Sequence, residues 1–341
     1  MRPILFSILM IALLSLEIVA VAPPASDRSV KPRAVLDGID YSYTNCAAAF
    51  TKDSKTLATG GPPYSLKLWD VARGKLIVDI NRFGTNPEVL GLEALAFSPE
   101  GETLAVAAED TAVIQMWSVE KRKVRASFKS PPIRINSILF SPNGKTLVTA
   151  SSDQAVRLYD PATGKLLLTM KGHEEWAGPL AFSADGKMLA CGGGGGDIHL
   201  WNIPKGTPKR RLLGRKYGTA LNESKAAIDS VALSADGSML MSADSARVVK
   251  LWDIATGKEV LMFEAAALAV LTADGKYVIA NGSFEVLVHR TSDGKRVATH
   301  KHRYTHADAF VLSPDGKTIA SVLNDSRVLL WDVPSLLRKV K

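Results

Sequence analysis

The sequence predicts an all-β protein: a seven-bladed β-propeller with four-stranded antiparallel blades and a ring closed by an N-terminal strand. This prediction rests on one pattern that occurs seven times at steps of 38 to 51 residues, with turn residues between short apolar segments. In each copy an apolar residue ends one strand, and a ring-bearing residue follows 18 to 20 positions later. The pairs are Phe50 with Trp69, Phe97 with Trp117, Phe140 with Tyr159, Phe182 with Trp201, Leu233 with Trp252, Leu271 with His289 and Leu312 with Trp331.

Within each copy the predicted elements follow in a fixed order. A tight turn such as Ser313 to Gly316 comes directly after the apolar residue, with Pro where φ must be fixed and Gly where φ is positive. The first copy, Thr51 to Ser54, lacks this glycine. A short apolar strand, an alternating strand such as Ala155 to Tyr159, a second turn and a fourth strand such as Lys165 to Met170 complete the copy. Four short antiparallel strands per repeat are typical of a propeller blade.

The segment before the first copy supplies the closing strand. Val30 to Leu36 belongs to no copy, and the chain has only ten residues after Trp331. We therefore predict that Val30 to Leu36 forms the outermost strand of the seventh blade. Such pairing joins the two ends of the chain and removes a free edge, and an outer strand tolerates Pro32.

The Ser-Pro-Asp-Gly turns and Leu-Trp-Asp endings resemble the WD-repeat β-propeller family from about Val30 to Trp331. In that family a His, a Ser or Thr, an Asp and the Trp form a buried hydrogen-bonded tetrad in each blade. No copy here keeps all four residues, so the blades should depend mainly on apolar packing and strand ladders. The partial sets are Thr149, Asp153 and Tyr159 in the third copy, His173 and Trp201 with Cys191 and Gly195 in the polar slots of the fourth, and Ser321, Asp325 and Trp331 in the seventh.

The first residues have the layout of a secretory signal. A positive start precedes an apolar run from Ile4 to Leu14, and small residues follow. We expect a signal peptide over residues 1–22 with cleavage after Ala20, and one propeller domain over residues 23–341. The alternative is an uncleaved membrane anchor, in which Glu17 would be buried at a cost in free energy. With a signal peptide, the protein should be exported and be periplasmic or extracellular. The family resemblance implies a bacterial-type member.

Composition and cysteine placement limit the function classes. The net charge of +8 comes partly from basic clusters such as Lys121 to Arg125, which could contact an anionic partner or form a solvated turn face. No aromatic–basic stacking pattern accompanies them, so we expect no nucleic-acid partner. Cys46 and Cys191 fall in copies on nearly opposite sides of the ring, too far apart for a disulfide. Cys191 is expected to be a small buried residue.

No catalytic motif is visible in the sequence. There is neither a Gly-x-Ser-x-Gly elbow nor a phosphate-binding loop before a helix. His300, His302 and His306, with Asp308 nearby, could place two imidazoles on one strand face, but nothing enforces a closed set of ligands. We therefore expect no catalytic residue, no metal and no cofactor.

One group of unusual residues suggests a partner surface. Trp176, outside the repeated tryptophan positions, enters the fourth blade, and Gly193 and Gly194 lie in a run of five glycines in that blade. The longest step contains an insertion with Arg215, Lys216 and Tyr217. In the family, these loops share one rim of the disc, and Trp, Tyr and Arg dominate interface energies. The alternative is a decorated loop without a partner.

The favoured function is a non-enzymatic WD-repeat scaffold that binds a protein or peptide on one rim, with no small-molecule substrate. One alternative is an enzyme or cofactor-binding propeller of the lactonase-like or quinone-dependent kind, which would need converging carboxylates or histidines on the inner strands. Segments such as Leu95 to Phe97 are apolar and small instead. Another is a purely structural array. Membrane contact is expected only if the N-terminal segment stays uncleaved.

Overall fold

A computed structural model describes residues 30–37, 47–61, 65–81, 92–108, 113–131, 133–213, 216–217, 224–304, 307–325 and 327–338. Seven four-stranded antiparallel sheets form the blades of a propeller, as predicted. The predicted signal segment 1–22 and Cys46 lie outside the described residues. Within those residues, no helix combines the length and the apolar character required to span a bilayer.

Each blade takes four strands that neighbour each other in chain order, except where the ring closes. Blade 1 contains β2 (Ala47–Phe50), β3 (Thr56–Gly61), β4 (Ser65–Asp70) and β5 (Lys75–Asn81). Blade 2 contains β6 (Leu92–Phe97), β7 (Thr103–Ala108), β8 (Val113–Ser118) and β9 (Lys123–Lys129). Blade 3 contains β10 (Ile135–Phe140), β11 (Leu147–Ser151), β12 (Ala155–Tyr159) and β13 (Leu166–Lys171). Blade 4 contains β14 (Ala177–Phe182), β15 (Met188–Gly193), β16 (Asp197–Asn202) and β17 (Thr207–Leu213).

The remaining elements complete the ring. A short hairpin, β18 (Lys216–Tyr217) with β19 (Ser224–Lys225), separates blades 4 and 5. Blade 5 contains β20 (Ile228–Leu233), β21 (Met239–Asp244), β22 (Val248–Asp253) and β23 (Glu259–Glu264). Blade 6 contains β24 (Leu268–Leu271), β25 (Tyr277–Asn281), β26 (Glu285–Arg290) and β27 (Arg296–Lys301). Blade 7 contains β28 (Ala307–Leu312), β29 (Thr318–Leu323), β30 (Val328–Asp332) and β1 (Ala34–Leu36), and α1 (Val333–Leu337) follows it.

The first strand of every blade lines the axis of the ring. Each of these inner strands neighbours the inner strand of the next blade, and β28 of blade 7 lies against β2 of blade 1. The apolar core lies between blades: Leu66 of blade 1 packs in one cluster with Leu92 and Trp117 of blade 2. Because each blade buries its faces only against its neighbours, the repeats form one folding unit.

The predicted closing strand is confirmed, but it spans Ala34–Leu36 and not all of Val30 to Leu36. Strand β1 pairs antiparallel with β30, and the register sets Ala34 opposite Leu330 and Leu36 opposite Val328. The Leu36 side chain is 1% exposed and belongs to the core shared by blades 7 and 1. The chain before the first repeat therefore supplies the outermost strand of the last blade.

Buried tryptophans pair with hydroxyls in three blades of the described structure. The indole nitrogens of Trp69, Trp252 and Trp331 each donate a 2.9 Å hydrogen bond to a hydroxyl ten residues earlier, from Thr59, Ser242 and Ser321 respectively. These pairs are the Trp and Ser/Thr members of the tetrad that the family resemblance implies. Polar bonds therefore contribute inside these blades beside the expected apolar packing.

Candidate binding site at the mouth of the central channel

The register of the inner strand is irregular near its first residue in five blades; in four of them it passes over one polar residue, and in β14 of blade 4 it passes over Gly178 and Pro179. The antiparallel register passes from Leu92 directly to Ala94 in β6 and thus skips Glu93. The same irregularity skips Asn136 in β10, Asp229 in β20 and Asp308 in β28. A bulge re-aims a side chain out of the regular alternation, and bulges are frequent beside functional sites. We call Glu93, Asn136, Asp229 and Asp308 the bulge residues.

All four bulge residues line one cavity of about 700 Å³. Its lining comes from the first strands of blades 2 to 7 or the residues next to them, together with Ser152 after β11, and includes Arg134 and Trp176. The cavity therefore lies on the axis of the ring, at the end where the inner strands begin. We call this opening the channel mouth. The expectation that inner strands offer only apolar and small side chains is wrong here, because the bulges add three carboxylates.

The carboxylates at the mouth are held in different environments. Glu93 is nearly buried and lies 2.6 Å from the guanidinium of Arg134. Asp229 makes no ion pair within the described part of the chain, and burial followed by repulsion from Asp244 raises its pKa to about 6. Asn136 instead joins blades, donating a 2.8 Å hydrogen bond to the carbonyl of Ala177. The mouth thus combines a neutralised carboxylate with one whose negative charge is uncompensated above pH 6.

Trp176 lies half-buried beside this ring, packed on the glycines of its own blade. Its carbonyl accepts a 2.9 Å hydrogen bond from Gly194. A Cβ atom at Gly194 would lie 2.3 Å from the indole nitrogen, and one at Gly178 would lie 2.5 Å from the indole ring. The glycines therefore let the indole approach the backbone closely. At Gly194, Trp176 itself occupies the space that a side chain would fill.

Gly193 lies against a second cluster of side chains in blade 4. A Cβ atom there would lie 2.4 Å from both the carboxylate of Asp197 and Nδ1 of His173. Asp197 Oδ1 is 3.1 Å from His173 Nδ1, and Asp197 Oδ2 is 2.9 Å from His199 Nε2. His173 thus meets an Asp in blade 4, but that Asp lies two positions after the expected Gly195. Burial alone would raise the pKa of Asp197, but hydrogen bonds from the two histidines outweigh it and lower the pKa below its usual value.

The other polar slots of blade 4 are changed as the sequence predicts. Cys191 lies ten residues before Trp201, at a position where four other blades have a hydroxyl, and its thiol contacts the carbonyl of Gly192 at 3.3 Å. Burial raises the pKa of this thiol; a hydrogen bond to the carbonyl of Gly178 opposes the rise, and the charge of Asp197 adds to it. Cys191 is fully buried, which confirms the expected packing role.

The side chains of the insertion residues lie outside the described part of the structure. Lys216 and Tyr217 form β18 in the hairpin between blades 4 and 5, and Arg215 lies outside the described residues. The proposed rim of Trp176, Arg215, Lys216 and Tyr217 therefore remains a prediction. The bulge residues were missed, although an apolar–polar–small triplet such as Leu92-Glu93-Ala94 begins each bulged inner strand.

Of the histidines considered for a metal, the two that the structure describes, His300 and His302, form no group of three ligands with Asp308. His300 is buried, with Nε2 3.0 Å from the carbonyl of Leu336, whereas Asp308 lies at the channel mouth. His302 is partly buried beside Tyr304, and His306 lies outside the described residues. Among the residues described, the group with ligand atoms within 4.8 Å of one another is His173, Asp197 and His199.

Comparison with known proteins supports the repeat assignment. The family model "WD domain, G-beta repeat" matches residues 122–160, 164–202 and 215–253, and each match ends one residue after a blade's Trp or Tyr. Periodic tryptophan protein 2 of Arabidopsis thaliana is 25% identical over 251 residues, which cover 69% of this chain and 27% of the relative. The homologue of that protein in Schizosaccharomyces pombe is 26% identical over 191 residues, 53% of this chain and 22% of its own length.

A third relative is WD repeat and SOCS box-containing protein 1 of Xenopus tropicalis, 25% identical over 158 residues, 46% of this chain and 26% of the relative. The matched part thus spans about a quarter of each of these relatives. All three are eukaryotic and give no support to the expected bacterial-type, exported member. The family-model matches and the seven-bladed architecture together support the assignment of these repeats to the WD-repeat family.

Proposed function

We propose that the protein is a non-enzymatic scaffold that binds a basic peptide segment of a protein partner at the channel mouth. The observation that carries this proposal is the position of Trp176 over a cavity lined by Glu93, Asp229 and Asp308. An indole face attracts a Lys or Arg side chain, and a cavity with negatively charged walls concentrates cations. The similarity to WD-repeat proteins, which as a class bind protein partners, supports a scaffold role.

Asp229 contributes most of the expected selectivity. Its charge has no ion-pair partner in the described residues, whereas Glu93 already contacts Arg134. A cationic side chain entering the mouth would supply the missing positive charge, and charge complementarity favours specificity and fast association. Trp176 would provide apolar contact area beside that charge.

The enzyme alternative has one observation in its favour, because carboxylates do converge on the channel. They do not form a compact ligand set: among the described residues, ligand atoms within 4.8 Å of one another occur in blade 4 and not at the mouth. Arg134 also neutralises Glu93. Binding of a cationic segment therefore accounts for the mouth better than metal-dependent catalysis there.

The test is selection of a random displayed peptide library on the full chain, followed by anisotropy titrations of the selected peptides. We expect Lys- or Arg-containing peptides, with Trp176→Ala weakening binding by about 2 kcal/mol or more, as for a central aromatic anchor. Asp229→Asn should weaken binding without lowering thermal stability, which separates lost contact from misfolding. Lys121→Glu, in the turn between β8 and β9 at the opposite end of the ring, is the control.

Two results would contradict the proposal. One is a set of selected peptides without basic residues. The other is equal affinity of wild type and Trp176→Ala for a selected peptide while Lys121→Glu abolishes it, which would move the surface to the opposite face.

A further inference from the structure

The cluster of His173, Asp197 and His199 differs from the corresponding position of other blades. Two residues before the blade's Trp or Tyr, blades 1, 3 and 5 carry Lys67, Arg157 and Lys250. Each of these buried cations pairs with a carboxylate: Lys67 with Asp79 at 2.8 Å, Lys250 with Glu259 at 2.6 Å, and Arg157 with Asp153. In blade 4 the same position holds His199, and the carboxylate is Asp197.

The carboxylate of Asp197 in blade 4 also has a positive charge beside it, but that charge belongs to a side chain at the surface, Arg211. One guanidinium nitrogen of Arg211 lies 2.7 Å from Glu174 and 3.4 Å from Asp197 Oδ2. The Arg211 side chain is 40% exposed, whereas Asp197 is 2% exposed. The position beside Asp197 is therefore a cation position, occupied by a surface side chain that can move away without opening the core.

The donor atoms around this position have the chemistry of a transition-metal site. Two imidazole nitrogens and a carboxylate oxygen lie within 4.8 Å of one another. Imidazole and carboxylate ligands suit divalent zinc, which in its open sites takes three protein ligands and a water molecule or other ligand at the fourth position. The missing Cβ atoms of Gly193 and Gly172 keep the space around these donors clear, since a Cβ at Gly172 would lie 2.8 Å from the His199 ring.

We propose that His173, Asp197 and His199 bind one divalent transition-metal ion of the zinc class, which displaces the Arg211 guanidinium from Asp197. Each imidazole then presents a lone pair where it now donates N–H to Asp197, so both rings exchange tautomers on binding. Arg211 keeps its ion pair with Glu174 at the surface. This site is separate from the channel mouth and does not depend on peptide binding.

Arg211 gives the proposal a prediction that a purely structural hydrogen-bond cluster would not make. In a structural cluster, removing Arg211 leaves a buried carboxylate with less compensation and produces no metal site. In a metal site that Arg211 competes for, Arg211→Gln increases the affinity for zinc. The side chain is exposed enough for the variant to fold.

The experiment is calorimetric titration of the chelator-treated full chain with zinc chloride, repeated with cobalt chloride and followed by absorption spectroscopy. We expect one equivalent bound by wild type, tighter binding by Arg211→Gln, and affinity lowered at least about tenfold in Asp197→Asn and His199→Gln. The cobalt spectrum should show nitrogen and oxygen ligation without thiolate bands, because Cys191 is not in the ligand set. His289→Gln, a buried histidine of blade 6 beside the carbonyl of Gly294, should bind zinc like wild type.

Absence of saturable zinc or cobalt binding in both wild type and Arg211→Gln would overturn the proposal. So would equal zinc affinity in wild type and folded Asp197→Asn, or loss of the bound equivalent in His289→Gln. A thermal melt of each variant without metal shows which variants are folded.

Discussion

The hydroxyl of Ser54 accepts a 3.1 Å hydrogen bond from the backbone N–H of Asp315, which lies 261 positions later in the chain. Ser54 stands where the other repeats have the glycine of the first turn, and its φ is +61°, a conformation that strains a residue with a Cβ atom. The turn that lacks its glycine is therefore the one that bonds blade 1 to blade 7. Ser54 is strained locally, but its hydroxyl makes a contact between blades 1 and 7, where the ring closes.

This relationship predicts different changes in stability for two substitutions of Ser54. Ser54→Ala removes the bond and keeps the strain, so it should lower the free energy of unfolding by about 1 kcal/mol. Ser54→Gly removes both, and its stability should stay within about 0.5 kcal/mol of wild type because relief of strain offsets the lost bond. Chemical denaturation measures both. A glycine variant less stable than the alanine variant would contradict this account.

The closing strand should contribute a large share of stability through Leu36. Truncation to alanine at this buried position should lower the free energy of unfolding by about 2–5 kcal/mol, as for other buried leucines. Leu213→Ala is the matched control, since that leucine is 63% exposed and should change stability by less than about 0.5 kcal/mol. Thermal melts compare the two variants. Similar losses of stability in Leu36→Ala and Leu213→Ala would show that β1 contributes little to ring closure.

Asp229 should make stability depend on pH in a defined direction. Its pKa is raised from 3.8 to about 6, so the folded state holds a proton that the unfolded state releases. Stability from this residue is therefore full below about pH 4, is lost as pH rises toward 6, and stays lost above that. Asp229→Asn should be more stable than wild type at neutral pH and lack this dependence. Thermal melts of both proteins from pH 4 to 8 test this prediction. If the melting temperature depends on pH in the same way for wild type and Asp229→Asn, the prediction is wrong.

Gly194 should matter for the position of Trp176 more than for the backbone. A methyl group at Gly194 would lie 2.3 Å from the indole nitrogen, so Gly194→Ala should displace the ring and cost about 1–3 kcal/mol of stability. It should also weaken binding of the selected peptides. Gly237→Ala is the control: its φ of +68° makes it strained, but its new Cβ meets nothing within 4 Å. That variant should lose stability and keep peptide affinity.

The fold could be predicted from the sequence because the turn residues and the ring-bearing residues recur at a regular spacing and are recognisable in short segments. Residues such as Pro314 and Gly316 predict a turn from local sequence alone. Trp331 follows this turn at a spacing that the other repeats share. The closing strand followed from a segment left over by this count. Export of the protein and cleavage after Ala20 remain predictions.

The site was harder to predict because it depends on register. Glu93 and Asp229 reach the channel only because a bulge removes them from the alternation of their strands, and alternation was the basis for reading the inner strands. Asp197 was missed for a related reason. Spacing assigned the acidic slot of blade 4 to Gly195, whereas the carboxylate that meets His173 comes two residues later.

The register of the inner strands passes over the three acidic bulge residues, Glu93, Asp229 and Asp308, so they can be exchanged while the strand pairs beside them, such as Leu92 with Ala108, keep their partners. Asn136 differs, because its side chain also bonds blade 3 to blade 4. Randomising the three acidic positions together would give a set of propellers with the same frame and different channel mouths. Such a set could be searched for variants that bind neutral or acidic peptides in place of basic ones.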